Sequence, residues 1–262
     1  MAFVNHTTKN IAVKVVYYGP GLSGKTTNLR YIYFKLDPSS RGEFICLETD
    51  TERTFFFDLL PIKAGIINDY RVHFQLLTVP GQVFYEASRK SVLKGADGIV
   101  FVADSQIPLL DANIESFDGL RQNLLEYNVD LNLIPLVFQF NKRDLTNLIP
   151  VETFNNLLNP RRLPFIEASA INGVGVFETL KEISKLTVPY VKEKVFGPKE
   201  EEAEKRPPAA EAGTPEKKKV EEIDFFSAEE EPYIHLKKMR FKSQEDIEKE
   251  IEKLEREFMK GL

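Results

Sequence analysis

The sequence predicts an α/β protein whose mostly parallel sheet is covered by helices on both faces. The later strand candidates, 98–103 and 134–140, are continuous apolar runs separated by segments of helical periodicity. Such runs are typical of parallel strands that are buried on both faces. Near the N-terminus, the β-branched and aromatic run 11–18 leads through a glycine-rich turn into a helical segment. Both observations indicate repeated strand–helix units.

The remaining elements follow from periodicity and turn residues. The predicted strands are 11–18, 44–47, 62–67, 71–79, 98–103, 134–140 and 164–168. The predicted helices are 25–36, 84–94, 111–126, 151–158 and 175–195. Asn68-Asp69 predicts a turn, so the hairpin 62–79 is expected to add one antiparallel pair to the sheet.

The composition of the chain changes at Gly197-Pro198. Residues 1–196 are therefore predicted to form one globular domain. Residues 197–222 are Glu, Lys, Pro and Ala with almost no apolar side chain, which predicts a disordered charged linker. Residues 223–262 regain apolar side chains and are predicted to form an interaction segment.

The last part of that segment predicts a C-terminal amphipathic helix. Ser243 has N-cap spacing, and an apolar stripe falls on one helical face at Ile247, Ile251, Leu254 and Phe258. An isolated helix of this length is marginal in water, so the stripe suggests a surface to dock on. That surface is the globular domain itself, a second copy or another protein. The alternative is a solvated charged helix.

Charge and cysteine content narrow the class of protein. The net charge of −5 lies in residues 197–262, and no basic footprint for nucleic acid is present. The single cysteine, Cys46, excludes an intrachain disulfide and favours a reducing compartment. No secretory signal, spanning segment or common lipid-anchor motif is recognised in the sequence, so a cytoplasmic protein without integral membrane association is expected.

The most specific motif is GPGLSGKT at 19–26, which fits G-x-x-x-x-G-K-[ST] between a strand and a helix. Backbone N–H groups of such a loop cradle phosphates, Lys25 can reach the β- and γ-phosphates, and the Thr26 hydroxyl can ligate Mg²⁺. The alternative is a glycine turn with an incidental Lys-Thr. The predicted nucleotide-binding residues here are Gly19, Gly21, Leu22, Ser23, Gly24, Lys25, Thr26 and Thr27.

A phosphate loop alone leaves ATP and GTP open, and the NKRD motif at 141–144 favours GTP. The Asp144 carboxylate can accept hydrogen bonds from the guanine N1–H and 2-amino groups, which adenine does not offer. Asn141 is expected to brace the site, and Lys142 to stack its stem on the base. Ser169 and Ala170 are expected to contact the base through backbone N–H groups. The alternative is a solvated turn after a strand.

These motifs in this order resemble a Ras-like P-loop GTPase, and more closely the MglA family of bacterial small GTPases of cell polarity and gliding motility. The resemblance is carried by YYGPGLSGKTTNLRYIY, TERTFFFDLLP, TVPGQVFYEASRKSVLKGADGIVFVADSQ and FNKRDL. It covers residues 1–195 and implies a Ras-like fold.

The resemblance also exposes a departure at Thr78. Most small GTPases have an aspartate there, in D-x-x-G, which holds Mg²⁺ through water. A threonine brings no charge, so more of the metal's coordination is expected to fall on Thr26, the phosphates and a switch threonine. Members of the MglA family share this threonine.

Several further roles are implied by the resemblance. Gln82 is expected to orient the attacking water, and the preceding Gly81 to lie at the nucleotide. Thr54 is expected to ligate Mg²⁺ in switch I. Arg53 resembles the arginine that MglA-like proteins supply from their own chain. The alternative for Arg53 is a solvated loop charge.

The implied function is a GTP-binding and GTP-hydrolysing switch, slow without an activating partner, that controls polarity or motility. The implied partners are GTP/GDP with Mg²⁺, an MglB-like roadblock-domain dimer as GTPase-activating protein, and other polarity or motility effectors that give polar localisation. Two alternatives stay open. One is a P-loop ATPase or kinase, against which NKRD argues. The other is a GTP-dependent scaffold with little hydrolysis, which Thr78 would favour.

Overall fold

The computed structural model describes residues 3–48, 55–80, 86–197 and 235–238, together with residues 249, 250 and 253. The strands are β1 (Phe3–Asn5), β2 (Asn10–Tyr18), β3 (Ile45–Glu48), β4 (Phe55–Ile67), β5 (Tyr70–Thr78), β6 (Gly98–Asp104), β7 (Leu136–Asn141), β8 (Phe165–Glu167) and β9 (His235–Lys238). The helices are α1 (Lys25–Lys35), α2 (Glu86–Leu93), α3 (Leu110–Glu126), α4 (Val151–Leu157) and α5 (Val176–Phe196).

All of these strands join one sheet in the order β8-β7-β6-β2-β5-β4-β3-β9, and β1 pairs with the start of β2. Strands β2, β5, β6, β7 and β8 run parallel to one another. Strand β4 is antiparallel to both β3 and β5. The carboxyl ends of β2, β6 and β7 therefore lie side by side. We call this side of the sheet the ligand-binding edge, because ligands bind there in open α/β folds.

Helices cover both faces of this sheet, as the apolar runs predict. Helices α2, α3 and α4 pack on one face, around an aromatic cluster in which Phe101 lies 5.0 Å from Phe117 and 5.8 Å from Phe138 between ring centroids. Helices α1 and α5 pack on the other face, with Leu29 and Leu180 buried there. The predicted fold class is confirmed: the chain has a Ras-like α/β fold.

Strand β4 is longer than the sequence pattern predicts. A strand was expected at 62–67, but β4 begins at Phe55. Pro61 and Gly65 hide the strand from a pattern search, since both residues are depleted in strands. The structure accommodates them: the Pro61 carbonyl accepts the Gly42 N–H at 2.8 Å, and the register shifts between Lys63 and Gly65.

The tail contributes a strand that no sequence pattern predicted. Strand β9 pairs in parallel with β3 at the end of the sheet. Of the predicted C-terminal helix, only Lys249, Glu250 and Lys253 are described, and all three are helical. The four residues of its predicted apolar stripe lie outside the described residues. Within the described part of the chain, no helix is both long and apolar enough to cross a bilayer.

Candidate nucleotide-binding site

The phosphate loop connects β2 to α1 at the ligand-binding edge, and two of its glycines cannot carry a side chain. Gly19 has φ +146°, and an added Cβ would lie 2.2 Å from the Val102 carbonyl oxygen. Gly24, the N-cap of α1, has φ +99°, and its Cβ would lie 2.2 Å from Asn141 Nδ2. The loop thus passes closer to the neighbouring strands than any larger residue allows.

Lys25 points back into the loop that precedes it. Its Nζ donates to the carbonyl oxygens of Gly19 at 2.9 Å and Pro20 at 2.6 Å. Burial lowers the pKa of the Lys25 ammonium to about 7, with Asp58 opposing that shift and Arg89 adding to it. An anion held by this loop would favour the charged amine and raise its pKa again.

The other predicted loop residues surround this amine. Ser23 is buried, and Gly21 and Thr27 are half-buried. Leu22 has φ +60° and is 91% exposed. A branched apolar side chain is rarely placed in the left-handed region or left so exposed, and such backbone strain clusters at functional sites. The strain at Leu22 therefore agrees with the prediction that this turn is shaped for a ligand.

Asn141 joins the phosphate loop to the predicted base-binding loops. Its side-chain Nδ2 donates to the Ser23 carbonyl oxygen at 2.7 Å, and its Oδ1 accepts the Ala170 N–H at 2.9 Å. Asn141 is buried, and neighbouring Ser169 and Ala170 are buried with it. One side chain therefore fixes the distance between three segments that are far apart in the sequence.

A second buried hydrogen-bond network joins the start of α1 to β7 and α5. Asn28 on α1 donates to the Gly24 carbonyl oxygen at 2.9 Å and exchanges amide hydrogen bonds of 2.8 and 2.9 Å with Gln139 on β7. Gln139 also donates to Thr179 on α5 at 2.9 Å. Satisfied buried polar networks rigidify the elements that they join.

Lys142 and Asp144 lie at the open side of the base-binding loops. Lys142 has φ +66°, and its Nζ forms a 2.6 Å ion pair with the buried Asp104 at the end of β6. This ion pair holds the Lys142 ammonium at the end of β6, and the stacking of its stem on a base stays a prediction. Asp144 is exposed. Its carboxylate is accessible to a ligand that stacks on that stem.

A buried carboxylate lies beside Thr78: it belongs to Asp58, on the neighbouring strand β4. Asp58 Oδ2 accepts hydrogen bonds from Thr26 Oγ1 at 2.6 Å and from Thr78 Oγ1 at 2.9 Å. The Asp58 N–H donates to Thr78 Oγ1 at 2.9 Å, and Cys46 Sγ donates to Oδ1 at 3.0 Å. Asp58 is 1% exposed, so its carboxyl group lies buried directly beside the phosphate loop.

This arrangement fits a magnesium ion. Mg²⁺ prefers oxygen ligands, and it is commonly bound through one or two carboxylates together with substrate phosphates. The Asp58 carboxylate and the Thr26 and Thr78 hydroxyls form such an oxygen cluster, next to the loop predicted to hold phosphates. The sequence pattern gave no signal for Asp58, and the expectation that coordination falls more on Thr26, the phosphates and a switch threonine stays a prediction.

Four of the predicted site residues lie outside the described residues. They are Arg53, Thr54, Gly81 and Gln82. The described strands bracket them: β3 ends at Glu48 and β4 begins at Phe55, while β5 ends at Thr78 and α2 begins at Glu86. Their assigned roles stay predictions. Phe57, three residues after Thr54, is buried in the core.

The fold and the loops at its ligand-binding edge define a Ras-like P-loop GTPase domain. The chain is 54% identical over 192 residues to "Mutual gliding-motility protein MglA" of Myxococcus xanthus (strain DK1622). The alignment covers 73% of this chain and 98% of that relative. The chain therefore belongs to the MglA family of small GTPases. No protein-family model matches it.

Proposed function

We propose that this chain is a molecular switch that binds GTP with Mg²⁺, hydrolyses it, and controls cell polarity or gliding motility through partners that distinguish its two nucleotide states. The observation that carries the proposal is the Asn141 bridge. It bonds the phosphate loop at Ser23 and the 169–170 loop at Ala170, and so holds a phosphate cradle and a base-binding loop in one fixed relation.

Guanine is the base that the second loop suits. Asp144 is exposed beside the anchored Lys142, so its carboxylate can accept the N1–H and 2-amino protons of guanine while the lysine stem covers the ring. Adenine lacks that pair of donors, and a site whose polar groups stay unpaired discriminates strongly. Membership in a small-GTPase family supports the same choice over an ATPase or kinase.

The phosphate end stabilises negative charge. Lys25 and the loop N–H groups are placed to bind the β- and γ-phosphates and to hold the charge that develops as the γ-phosphoryl group is transferred. Thr26 and Asp58 would hold Mg²⁺, with Thr78 fixing the Asp58 carboxylate from the adjacent strand. The ion, when bound, neutralises phosphate charge. Thr54 is proposed to complete the metal site from switch I.

Hydrolysis is assigned to two residues of the chain itself. Gln82 orients the attacking water, and Arg53 stabilises the transition-state charge as an arginine supplied in cis. The Asp58 carboxylate weakens the scaffold alternative, because Thr78 no longer implies that the phosphate end lacks a negative charge for the metal.

The partners and the process come from the family. The relative that shares 54% identity is named for gliding motility. We assign to this chain an MglB-like roadblock-domain dimer as GTPase-activating protein, further polarity or motility effectors, and polar localisation in the cytoplasm through them.

The first test is base specificity. Asp144→Asn is expected to lower GTP affinity and to raise affinity for xanthosine triphosphate, because an amide cannot accept both guanine donors but can donate to the xanthine 2-oxo group. The change should reach at least about tenfold in each direction, as expected for one hydrogen-bonding pattern. Asp69→Asn, in the exposed β4–β5 turn, is the matched control. Competition by ATP as strong as by GTP would show that the assignment is wrong.

A further inference from the structure

The side of strand β3 that faces away from β4 is paired with β9, a segment from the C-terminal part of the same chain. β3 lies between β4 and β9, and β9 is the last strand in the sheet order. The pairing is parallel and in register along the whole of β3, from Ile45 opposite His235 to Glu48 opposite Lys238. Without β9, this edge would present a row of unpaired backbone groups, which is a template for pairing with another chain.

The tail that supplies β9 is additional to the family domain. The related protein of Myxococcus xanthus is matched over 98% of its length by 73% of this chain, so the extra length of this chain has no counterpart there. The domain ends with α5 at Phe196, and β9 begins only at His235. The connecting residues 198–234 separate the strand from the domain in sequence, so the pairing is a long-range contact made by the added segment.

We propose that the β3 edge is a strand-addition site, which this chain closes with its own segment 235–238. The matching partner is an extended peptide segment that pairs through its backbone, parallel to β3, and competes with the tail. Strand addition of this kind takes its affinity from main-chain hydrogen bonds. A strand of four residues gives up its pairing more easily than a long one, which makes the closed edge reversible.

The contact between β3 and β9 lies close in the sequence to two predicted site residues. Glu48 is the last described residue before segment 49–54, which contains Arg53 and Thr54. Strand β9 is paired with the residue that leads directly into that segment. A partner strand that replaced β9 would therefore pair with the residue that directly precedes the predicted switch I segment in the sequence.

The test removes the pairing ability of β9 in the full-length chain. Successive N–H groups of a strand point to opposite edges, so Leu236→Pro with Lys237→Pro removes whichever one faces β3. Ala209→Pro with Ala210→Pro, in the predicted linker, is the matched control. Amide hydrogen exchange is measured on the GDP-loaded proteins.

The β3 amides that point away from β4 should exchange at least about tenfold faster in the 236/237 variant than in the wild type. The β3 amides that point toward β4 should not change, and the control should match the wild type. Equal protection of the outward amides in all three proteins would overturn the proposal. Protection that falls on dilution of the wild type, together with dimers in light scattering, would overturn the assignment to the same chain.

Competition is measured with a synthetic peptide of residues 232–241, PYIHLKKMRF, by fluorescence anisotropy. A tethered segment acts at an effective concentration near the millimolar range, so micromolar peptide should not displace it. The peptide should bind the 236/237 variant at least about tenfold more tightly than the wild type, and a scrambled peptide should bind neither. Equal affinity for both proteins, or binding to neither, would overturn the proposal without bearing on GTP hydrolysis.

Discussion

The two ends of the proposed nucleotide site, the base end and the phosphate end, are built by different means. At the base end, Asn141 is the last residue of β7, Lys142 and Asp144 lie in the loop that follows, and Ala170 bonds Asn141 from the loop after β8. At the phosphate end, Lys25 and Thr26 begin α1 after the loop that follows β2, but the buried carboxylate beside them comes from β4. One end is a set of local motifs, and the other depends on strand pairing.

We infer from this difference that a carboxylate beside the phosphate loop can come from either of two paired strands, β4 or β5. Asp58 and Thr78 are neighbours across the β4–β5 pair and bond to each other twice. A carboxylate on either strand can therefore lie near Thr26. Thr78 then serves to position Asp58, because its hydroxyl donates a hydrogen bond to the Asp58 carboxylate.

The largest expected effect concerns catalysis at the phosphate end. Arg53→Ala should reduce partner-stimulated GTP hydrolysis by about a thousandfold, since an arginine that neutralises transition-state charge has an effect of about 10³–10⁵. GTP affinity should stay close to that of the wild type. Gln82→Leu should also lower the rate without loss of binding. Single-turnover hydrolysis with a roadblock-domain partner measures both.

Arg121→Ala, on the exposed surface of α3, is the control for loss of one positive charge. An Arg53→Ala protein that is stimulated as strongly as the wild type would contradict the assignment of this residue. It would leave the base end of the site unaffected, so the two ends can be judged separately.

A smaller effect is expected where the two ends join. Asn141→Ala leaves the Ser23 carbonyl and the Ala170 N–H without their partner, at a cost of about 1–3 kcal/mol for unsatisfied buried groups. GTP and GDP affinity should both fall by roughly tenfold or more. Asn159→Ala removes an equally buried asparagine that bonds at Leu163, and should lower the melting temperature without changing nucleotide affinity. Equal nucleotide affinities in the two variants would argue against the bridge.

The smallest expected effect is a pH dependence from Lys25. Its pKa is about 7 in the folded protein, below its usual value, and bound phosphates would raise it. The complex then holds one more proton than the free protein above pH 7, so GTP affinity should fall as the pH rises, by about fivefold between pH 7 and pH 8. The unfolded chain holds more protons on Lys25 than the nucleotide-free folded protein above pH 7. The nucleotide-free protein should therefore become more stable as the pH rises through this range. Calorimetry in buffers of different protonation enthalpy should detect proton uptake on binding, and its absence would refute the prediction.

The sequence predicted the parts of this molecule that are local in the chain. GPGLSGKT and NKRD each predict several site residues from their own spacing at the end of a strand. The continuous apolar runs separated by helical segments predicted the sheet and its two helical layers. Asp58 was missed because its importance arises from a neighbouring strand, and Pro61 and Gly65 disguised that strand. The β9 pairing was missed for a related reason: four residues without clear alternation gain a place in the sheet only through a partner far away in sequence.

The most direct test of the account moves the carboxylate back to its customary strand. Asp58→Thr, Thr78→Asp and the double variant are compared by Mg²⁺ titration of GDP retention, with melting temperatures as a check on folding. We predict that Asp58→Thr raises the Mg²⁺ concentration needed for GDP retention by about 10–100-fold, the range found when residues that support a metal site are lost. The double variant should recover most of that loss. An Asp58→Thr protein that retains GDP at wild-type Mg²⁺ concentrations would contradict the claim that Asp58 carries the charge absent at Thr78.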